Sequence, residues 1–204
     1  TGIAATELSA IGAKTTGTVT VTNAIAISGS PAEVTAALVT AGSLVEVTDA
    51  TVTITGNPTI TELNNIAAKT TGVVTATLAA DSLSNLGALT TAGTDQITIT
   101  VNDADAAGVT AADLSTLGGK TAGTVTVTNA VAITGSASEL TAALVTASTL
   151  VEVSDATATI NDADGTGITA TELSAIGAKT TGTVTVTNAV AITGSVSELT
   201  AALV

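Results

Sequence analysis

The chain has 204 residues, 45% of them hydrophobic and 10% charged, and it contains no Phe, Tyr, Trp, Met, Cys or His. Without His, Cys, Tyr or Arg the usual general bases, thiolate nucleophiles and phosphate-binding clamps are missing, so the composition argues against an enzyme. A net charge of -13 would repel nucleic acids and anionic membrane surfaces. No apolar run approaches the roughly 18 residues of a membrane span, so we expect no membrane insertion.

The sequence consists of two alternating kinds of repeat. TELSAIGAKTTGTVTVTN begins at Thr6 and again at Thr171, a near copy begins at Ala112, and a divergent one begins at Thr61. Related units such as EVTAALVTAGSLVEVTDATVTI, from Glu33, lie between these copies. This pattern predicts one continuous array over residues 1–204, with coils starting near residues 7, 33, 62, 82, 113, 139, 172 and 198.

Each unit opens with a predicted helical turn, because Ser or Thr precedes an acidic residue by three positions, which is the spacing of a capping box. The pairs are Ser30/Glu33, Thr59/Glu62, Thr110/Asp113, Ser136/Glu139, Thr169/Glu172 and Ser195/Glu198. Gly12, Gly118 and Gly177 interrupt the helical pattern, and TTG or TAG follows. We therefore expect these helical turns to be short.

Beyond the glycine the apolar period changes to two, and Val19 and Val21 alternate with Thr in Thr18–Thr22. This alternation predicts a half-buried strand with Val inward and Thr outward. Stacking would place Val on Val and Thr on Thr. It would also place these polar residues at one corner: Asn23, Asp49, Asn129, Asp155 and Asn188.

The predicted fold is mainly β, a β-solenoid of about eight stacked coils with short helical turns on one edge. Strands stack about 4.8 Å apart whereas packed helices need about 8–10 Å, so full helices in every coil would force curvature. The alternative with the same ingredients is a curved α/β solenoid of leucine-rich-repeat type, although the LxxLxLxxN signature is not met.

Two acidic strings are candidate Ca²⁺ ligands because they place oxygen atoms at alternate positions in a turn. The candidate ligands are Asn102, Asp103 and Asp105, and Asn161, Asp162 and Asp164. Neither string matches a complete EF-hand loop. The other interpretation is that Asn and Asp simply favour turns, and no cofactor is otherwise required.

The Thr-x-Thr rows resemble the threonine arrays of ice-binding proteins. The rows are Thr18/Thr20/Thr22, Thr124/Thr126/Thr128 and Thr183/Thr185/Thr187. Thr is also a common residue on outward strand positions, and Glu46 and Glu152 interrupt a regular surface. Ice binding is therefore an alternative to a structural role.

The phrases ADLSTLGGKT from Ala112, GTVTVTNAVAITGS from Gly123 and ELTAALVTAS from Glu139 are typical of the whole chain. They resemble the giant cell-surface repeat proteins of marine cyanobacteria. The segment from Ser82 departs by running about one residue out of register. The resemblance implies a β-solenoid without catalysis that is secreted and surface-attached or filamentous.

The expected function is that of a structural protein of a cell-surface filament, stalk or layer, and an adhesin or other binding module is the alternative. The expected partners are copies of itself or adjacent repeats. Position 1 is not Met, and the last copy, from Ser195, stops in mid-unit. We therefore expect the chain to be a segment of a longer array.

Overall fold

The computed structural model describes residues 2–40, 42, 45–146 and 151–203. The α-helices of these residues are α1 (Ala5–Gly12), α2 (Pro31–Val34), α3 (Ile60–Ala67), α4 (Leu83–Leu86), α5 (Ala111–Gly118), α6 (Ala137–Leu140), α7 (Ala170–Gly177) and α8 (Val196–Leu203). The strands are β1 (Gly2–Ala4), β2 (Val19–Val21), β3 (Ala26–Gly29), β4 (Val45–Val47), β5 (Thr51–Ile54), β6 (Val74–Thr77), β7 (Gln96–Val101), β8 (Gly108–Thr110), β9 (Val125–Val127), β10 (Ala132–Gly135), β11 (Val151–Val153), β12 (Thr157–Ile160), β13 (Gly167–Thr169), β14 (Val184–Val186) and β15 (Ala191–Thr193).

The helices begin where the caps were predicted. In each predicted pair the Ser or Thr hydroxyl accepts the backbone N–H of the residue three positions later, at 3.0 Å for Thr110 and 3.4 Å for Ser30. In the five pairs with Glu, the carboxylate also accepts the N–H of the capping residue, at 2.7–2.9 Å. Asp113 is one methylene shorter and accepts instead from the Thr110 hydroxyl at 2.7 Å. The capping prediction is therefore confirmed.

Five helices are longer than the single turns expected from the glycines, whereas α2, α4 and α6 contain four residues each, as that expectation predicts. Helices α1, α3, α5, α7 and α8 each contain eight residues. Gly12, Gly118 and Gly177 are the last residues of α1, α5 and α7, and so they end the helices rather than interrupt them. In α7, Leu173 and Ile176 are buried one turn apart, and this apolar face stabilises a full helix against its neighbours.

The first of two compact units comprises the residues up to Ala79 together with Ala88–Ile99 and Lys120–Gly123. Five of its strands pair in the order β1-β3-β5-β6-β7, and β2 pairs with β4, all in parallel. Apolar residues share register positions across neighbouring strands. Ile27 lies beside Val52, and both are fully buried.

The second unit comprises Ala80–Gly87, Thr100–Gly119 and the residues from Thr124 onward. Its parallel strands pair in the order β8-β10-β12-β14, with further pairs β9-β11 and β13-β15. Helices α2 and α6 continue directly into π-helical turns, Thr35–Val39 in the first unit and Thr141–Val145 in the second. None of the helices described here is long and apolar enough to cross a membrane.

The predicted strand register is confirmed at β9, where Val125 and Val127 are buried and Thr126 is partly exposed. Val125 pairs with Val151, as Val-on-Val stacking predicts. The prediction of Thr on Thr is wrong here, because Thr126 lies beside Glu152, and Thr20 lies beside Glu46. It is confirmed at β12 and β14, where Thr159 pairs with Thr185.

The prediction of a mainly β solenoid is wrong, because the structure is an α/β fold with parallel sheets and helices between the strands. The leucine-rich-repeat alternative agrees with the structure in its α/β content, but the described residues form no closed solenoid. Most strands contain only three or four residues, and helical residues are about as numerous as strand residues. The physical reason lies in the connections. Parallel neighbours require a crossover, and the capped apolar segments form complete helices there.

Close backbone approach explains the glycine that follows Lys69, Lys120 and Lys179 by three positions. A Cβ on Gly72, Gly123 or Gly182 would lie closer than 3.0 Å to a carbonyl oxygen of a neighbouring backbone segment. At Gly123 that oxygen belongs to Ile97. The Thr121 hydroxyl fixes the same contact by accepting the N–H groups of Ile97 at 2.8 Å and Gly123 at 2.7 Å.

We predict that Gly123→Ala lowers the free energy of unfolding by about 1–3 kcal/mol, because the added methyl forces two backbone segments apart. Equilibrium urea unfolding measures the change. The control is Gly119→Ala, where the nearest atom to the new Cβ lies at 3.5 Å and the backbone is helical. Equal stability of the Gly123→Ala variant and the wild type would contradict the close approach.

Candidate functional site at the Asn-Asp loops

The two candidate calcium strings form equivalent loops, which we call the Asn-Asp loops. One is residues 102–105, between β7 and β8, and the other is residues 161–164, between β12 and β13. Both loops belong to the second unit. The two copies make the same set of contacts, so each serves as a check on the other.

The first carboxylate of each loop binds the start of a short helix. Asp103 Oδ2 accepts the N–H of Leu83 at 2.7 Å, and Asp162 Oδ2 accepts the N–H of Ala137 at 2.7 Å. Leu83 and Ala137 are the first residues of α4 and α6. The first N–H groups of a helix have no partner within the helix, so these bonds join an earlier helix to a later loop.

The second carboxylate of each loop binds a later segment of the chain. Asp105 Oδ1 accepts the N–H of Ala130 at 3.1 Å, and Asp164 Oδ1 accepts the N–H of Ala189 at 3.0 Å. The same alanines return a bond, since their carbonyls accept the N–H groups of Ala106 and Gly165, both at 2.8 Å. Each loop is therefore bonded to the repeats that precede and follow it.

A left-handed residue follows each loop. Ala106 has φ 61° and Gly165 has φ 79°. Gly adopts this conformation without steric cost, whereas for Ala it costs about 1–2 kcal/mol. The strain at Ala106 is retained because this conformation allows its N–H to bond to Ala130.

An asparagine side chain from a later segment binds the backbone of each Asn-Asp loop. Asn129 Nδ2 donates to the carbonyl of Asp103 at 2.7 Å, and Asn188 Nδ2 donates to the carbonyl of Asp162 at 2.6 Å. The predicted grouping at one corner holds for these two residues, which contact the Asn-Asp loops. Asn23, Asp49 and Asp155 lie in bends of the chain and are exposed.

The predicted ligands Asn102 and Asn161 form hydrogen bonds through their backbone atoms. Their carbonyls accept from Asn129 at 3.3 Å and Asn188 at 3.5 Å. Their own N–H groups donate to Asp81 and Gly135, both at 3.0 Å. The bonds described for these residues therefore link successive repeats through the main chain.

Calcium binds six to eight oxygen atoms gathered around one point. Within the described residues, no group of three or more His, Cys, Asp or Glu is arranged to hold a metal ion. The oxygens described above are directed at backbone N–H groups, which an anionic acceptor stabilises strongly. Calcium binding at Asp103/Asp105 or Asp162/Asp164 stays a prediction, and the geometry shows a structural use of the same carboxylates.

The capping glutamates have lowered pKa values. The backbone N–H of Thr169, and then its hydroxyl, hold the pKa of Glu172 below its ordinary value. The same two causes lower the pKa of the other capping glutamates with Ser or Thr partners: Glu33, Glu62, Glu139 and Glu198. These carboxylates favour the ionised form because they accept hydrogen bonds.

Among the described residues, sequence reasoning did not identify three buried polar residues of the first unit, Thr91, Asp95 and Thr121. Asp95 is 4% exposed, and its oxygens accept the N–H groups of Val74 at 2.8 Å and Ala92 at 2.9 Å. Thr121 is 1% exposed. The available signal was the shifted register after Ser82, because Asp95 stands in that divergent segment.

We predict that acid destabilises the chain partly through the caps. Because the folded pKa of Glu172 is lowered, its contribution to stability is present above the ordinary value of 4.5 and is lost as pH falls through the folded pKa. Glu172→Gln keeps an acceptor but cannot be ionised, so its unfolding free energy should fall less between pH 6 and pH 3. Urea unfolding at several pH values measures this difference, and identical pH dependence in both proteins would exclude the effect.

We predict that Asp162→Ala lowers the free energy of unfolding by about 1–2 kcal/mol, because the N–H of Ala137 loses its acceptor. The control is Asp162→Asn, which retains an oxygen acceptor and should lose less. Urea unfolding in the presence of a chelator measures both variants without calcium. If the alanine variant matched the wild type, the bond to Ala137 would carry no stability.

The calcium prediction is tested by thermal unfolding of the wild type with millimolar Ca²⁺ and with chelator. A ligand that binds the folded state raises the melting temperature by linkage. If the loops bind calcium, the shift should disappear when Asp103, Asp105, Asp162 and Asp164 are all replaced by Asn. If neither calcium nor chelator changes the melting temperature, the calcium prediction is wrong.

Comparison with known proteins found no relative of this chain. No protein-family model, no curated protein and no solved structure matches the chain. The resemblance to cyanobacterial surface repeats therefore rests on its sequence phrases. The function must be argued from the geometry of the repeats.

Proposed function

We propose that this chain is a non-catalytic structural segment of an extracellular repeat protein that forms a filament, stalk or layer at a cell surface. One observation carries the proposal: the Asn-Asp loops repeat the same bonds to earlier and later segments in two copies. A structural array requires that successive repeats be joined by the same bonds. The extracellular location is supported by the sequence resemblance.

The use of the polar side chains supports this proposal. Aspartates bind backbone N–H groups, and glutamates cap helices. The hydroxyls of Thr70 and Thr180 donate to the carbonyls of Ala50 and Ala156. A general base or nucleophile requires a side chain directed at a substrate, whereas these groups are directed at the protein's own backbone.

The alternative of an ice-binding or adhesive module receives less support. A flat threonine surface requires Thr beside Thr on neighbouring strands. Glu46 and Glu152 instead lie beside Thr20 and Thr126. Thr159 beside Thr185 is the pairing that such a surface would need.

We predict that the Asn-Asp loops bear load between repeats. Pulling the full chain by its ends in a single-molecule force experiment should give discrete steps. The copies that begin at Thr6, Thr61, Ala112 and Thr171 are 55, 51 and 59 residues apart, so each step should be roughly 170–210 Å at about 3.3–3.6 Å per residue. The double variant Asp103→Ala and Asp162→Ala should unfold at lower force. The matched control replaces both aspartates with Asn, which keeps the acceptors.

Equal unfolding forces in the wild type and the double alanine variant would contradict this load-bearing role. Inhibition of ice recrystallisation by the wild type, abolished in Thr185→Lys, would instead support the binding alternative. The two assays use the same purified chain, so their outcomes can be compared directly.

A further inference from the structure

The second Asn-Asp loop is followed directly by a glycine. In the whole sequence, glycine follows an aspartate or an asparagine at one position only, Asp164–Gly165. The corresponding pair of the first loop is Asp105–Ala106. The difference matters chemically, because the backbone nitrogen that follows an aspartate can attack the carboxyl carbon of that side chain. Glycine has no Cβ to hinder this approach.

Both pairs lie at the surface of the second unit. Asp164 and Gly165 are exposed, and so are Asp105 and Ala106. The first loop is exposed although further repeats follow it in the chain, so the exposure belongs to this position of the repeat. Solvent water therefore has access to the reacting atoms in both loops.

Contacts with one later residue hold both reacting groups of the second loop in place. The carbonyl of Ala189 accepts the N–H of Gly165 at 2.8 Å, and the N–H of Ala189 donates to Oδ1 of Asp164 at 3.0 Å. Ring closure requires the nitrogen to lose this proton and the carboxyl group to turn toward the nitrogen. Both bonds must therefore break before the reaction can occur.

We propose that Asp164–Gly165 is a site of spontaneous backbone isomerisation, and that opening of the contacts with Ala189 controls its rate. In the open loop the nitrogen of Gly165 bonds to Cγ of Asp164 and a five-membered succinimide forms. The nitrogen gives up its proton and the protonated carboxyl group gives up its hydroxyl, so one water molecule leaves. Addition of water to either ring carbonyl then restores aspartate or gives isoaspartate. Water is the only co-reactant.

Isoaspartate would disconnect the second loop from the segment that follows it. The main chain then runs through the former side chain and gains one methylene group between Asp164 and Gly165. The carboxylate and the N–H of Gly165 can no longer bond together to Ala189. The modification would thus break one of the connections between repeats on which the proposed function rests, although the chemistry itself does not depend on that function.

The first loop has the opposite balance between strain and reactivity. Ala106 has a left-handed φ of 61°, which strains an alanine, whereas Gly165 adopts its φ of 79° without strain. The methyl group of Ala106 also hinders ring closure at Asp105. Alanine at this position therefore costs conformational energy and protects the chain chemically, and glycine does the reverse.

Isotope labelling of the full chain tests the proposal. The wild type is incubated at mildly acidic pH in water enriched in the heavy oxygen isotope, both folded in buffer and unfolded in urea. Each succinimide that is hydrolysed takes up one heavy oxygen atom, whichever product forms. Mass spectrometry of proteolytic peptides should show about tenfold more label at Asp164 than at Asp105 in urea. Labelling of Asp164 should be slower by about tenfold or more in the folded chain, because the loop must first open.

Two variants that exchange a single methyl group locate the chemistry. Gly165→Ala should lower the labelling rate of Asp164 in urea by about tenfold, and Ala106→Gly should raise that of Asp105 by about the same factor. Because these rates are measured on the unfolded chain, a change in folding stability does not affect them.

Removal of one asparagine side chain tests the control by the fold. Asn188 donates to the carbonyl of Asp162 at 2.6 Å and so keeps the segment of Ala189 against the loop. Asn188→Ala should speed labelling of Asp164 in the folded chain by about threefold or more and leave its rate in urea unchanged. The matched control, Asn129→Ala, removes the corresponding bond of the first loop and should leave the labelling of Asp164 unchanged.

Three outcomes would overturn the proposal. They are equal labelling of Asp164 and Asp105 in urea, equal labelling of Asp164 in the folded and unfolded chains, and equal effects of Asn188→Ala and Asn129→Ala on folded Asp164. The structural function is judged separately, because its force measurements use the aspartates at positions 103 and 162. If labelling fails and the force measurements give the expected result, the isomerisation site is wrong and the load-bearing role stands.

Discussion

The structure depends on the pairing of backbone groups where one repeat meets the next. Short strands and helices leave many N–H and carbonyl groups at their ends, and a buried group without a partner costs about 1–3 kcal/mol. Asp162 supplies an acceptor at the start of α6, and Thr121 does the same for Ile97. Side-chain oxygens thus complete the hydrogen bonding where the regular elements end.

The same constraint explains the unusual composition. Aromatic side chains are absent, and the core consists of Val, Ile, Leu and Ala. Small side chains allow the backbones to approach as closely as Gly123 and Ile97 do. Close approach in turn brings Thr, Asp and Asn within hydrogen-bonding distance of a neighbouring main chain. A carboxylate already bonded to the backbone is poorly suited to proton transfer, which agrees with the proposed structural role.

Local patterns were predictable and the architecture was not. The cap at Thr169 and the alternation around Thr126 follow from spacing along the chain, because both involve residues a few positions apart. Helix length and strand pairing depend on distant segments, so the local pattern predicts an interruption at Gly177, whereas the structure ends a full helix there. The oxygen atoms of the Asn-Asp loops predict calcium because they are the kind of ligand that calcium prefers. Their partners in the structure, such as Leu83, lie about twenty residues away in sequence, and so the local pattern does not identify them.

Residues 124–145 and residues 183–204 differ at one position only, and they show why sequence pattern alone cannot assign burial. Leu144 and Leu203 occupy the same position in nearly identical segments, yet one is buried and the other exposed. The apolar pattern of a repeat indicates which face can be buried. Whether that face is buried depends on the neighbouring segment that packs against it. In a repeat protein each unit therefore contains half of an interface, and Val151–Ile160 supplies the other half to the copy that precedes it. The burial of one repeat therefore depends on contacts that a later segment of the chain supplies.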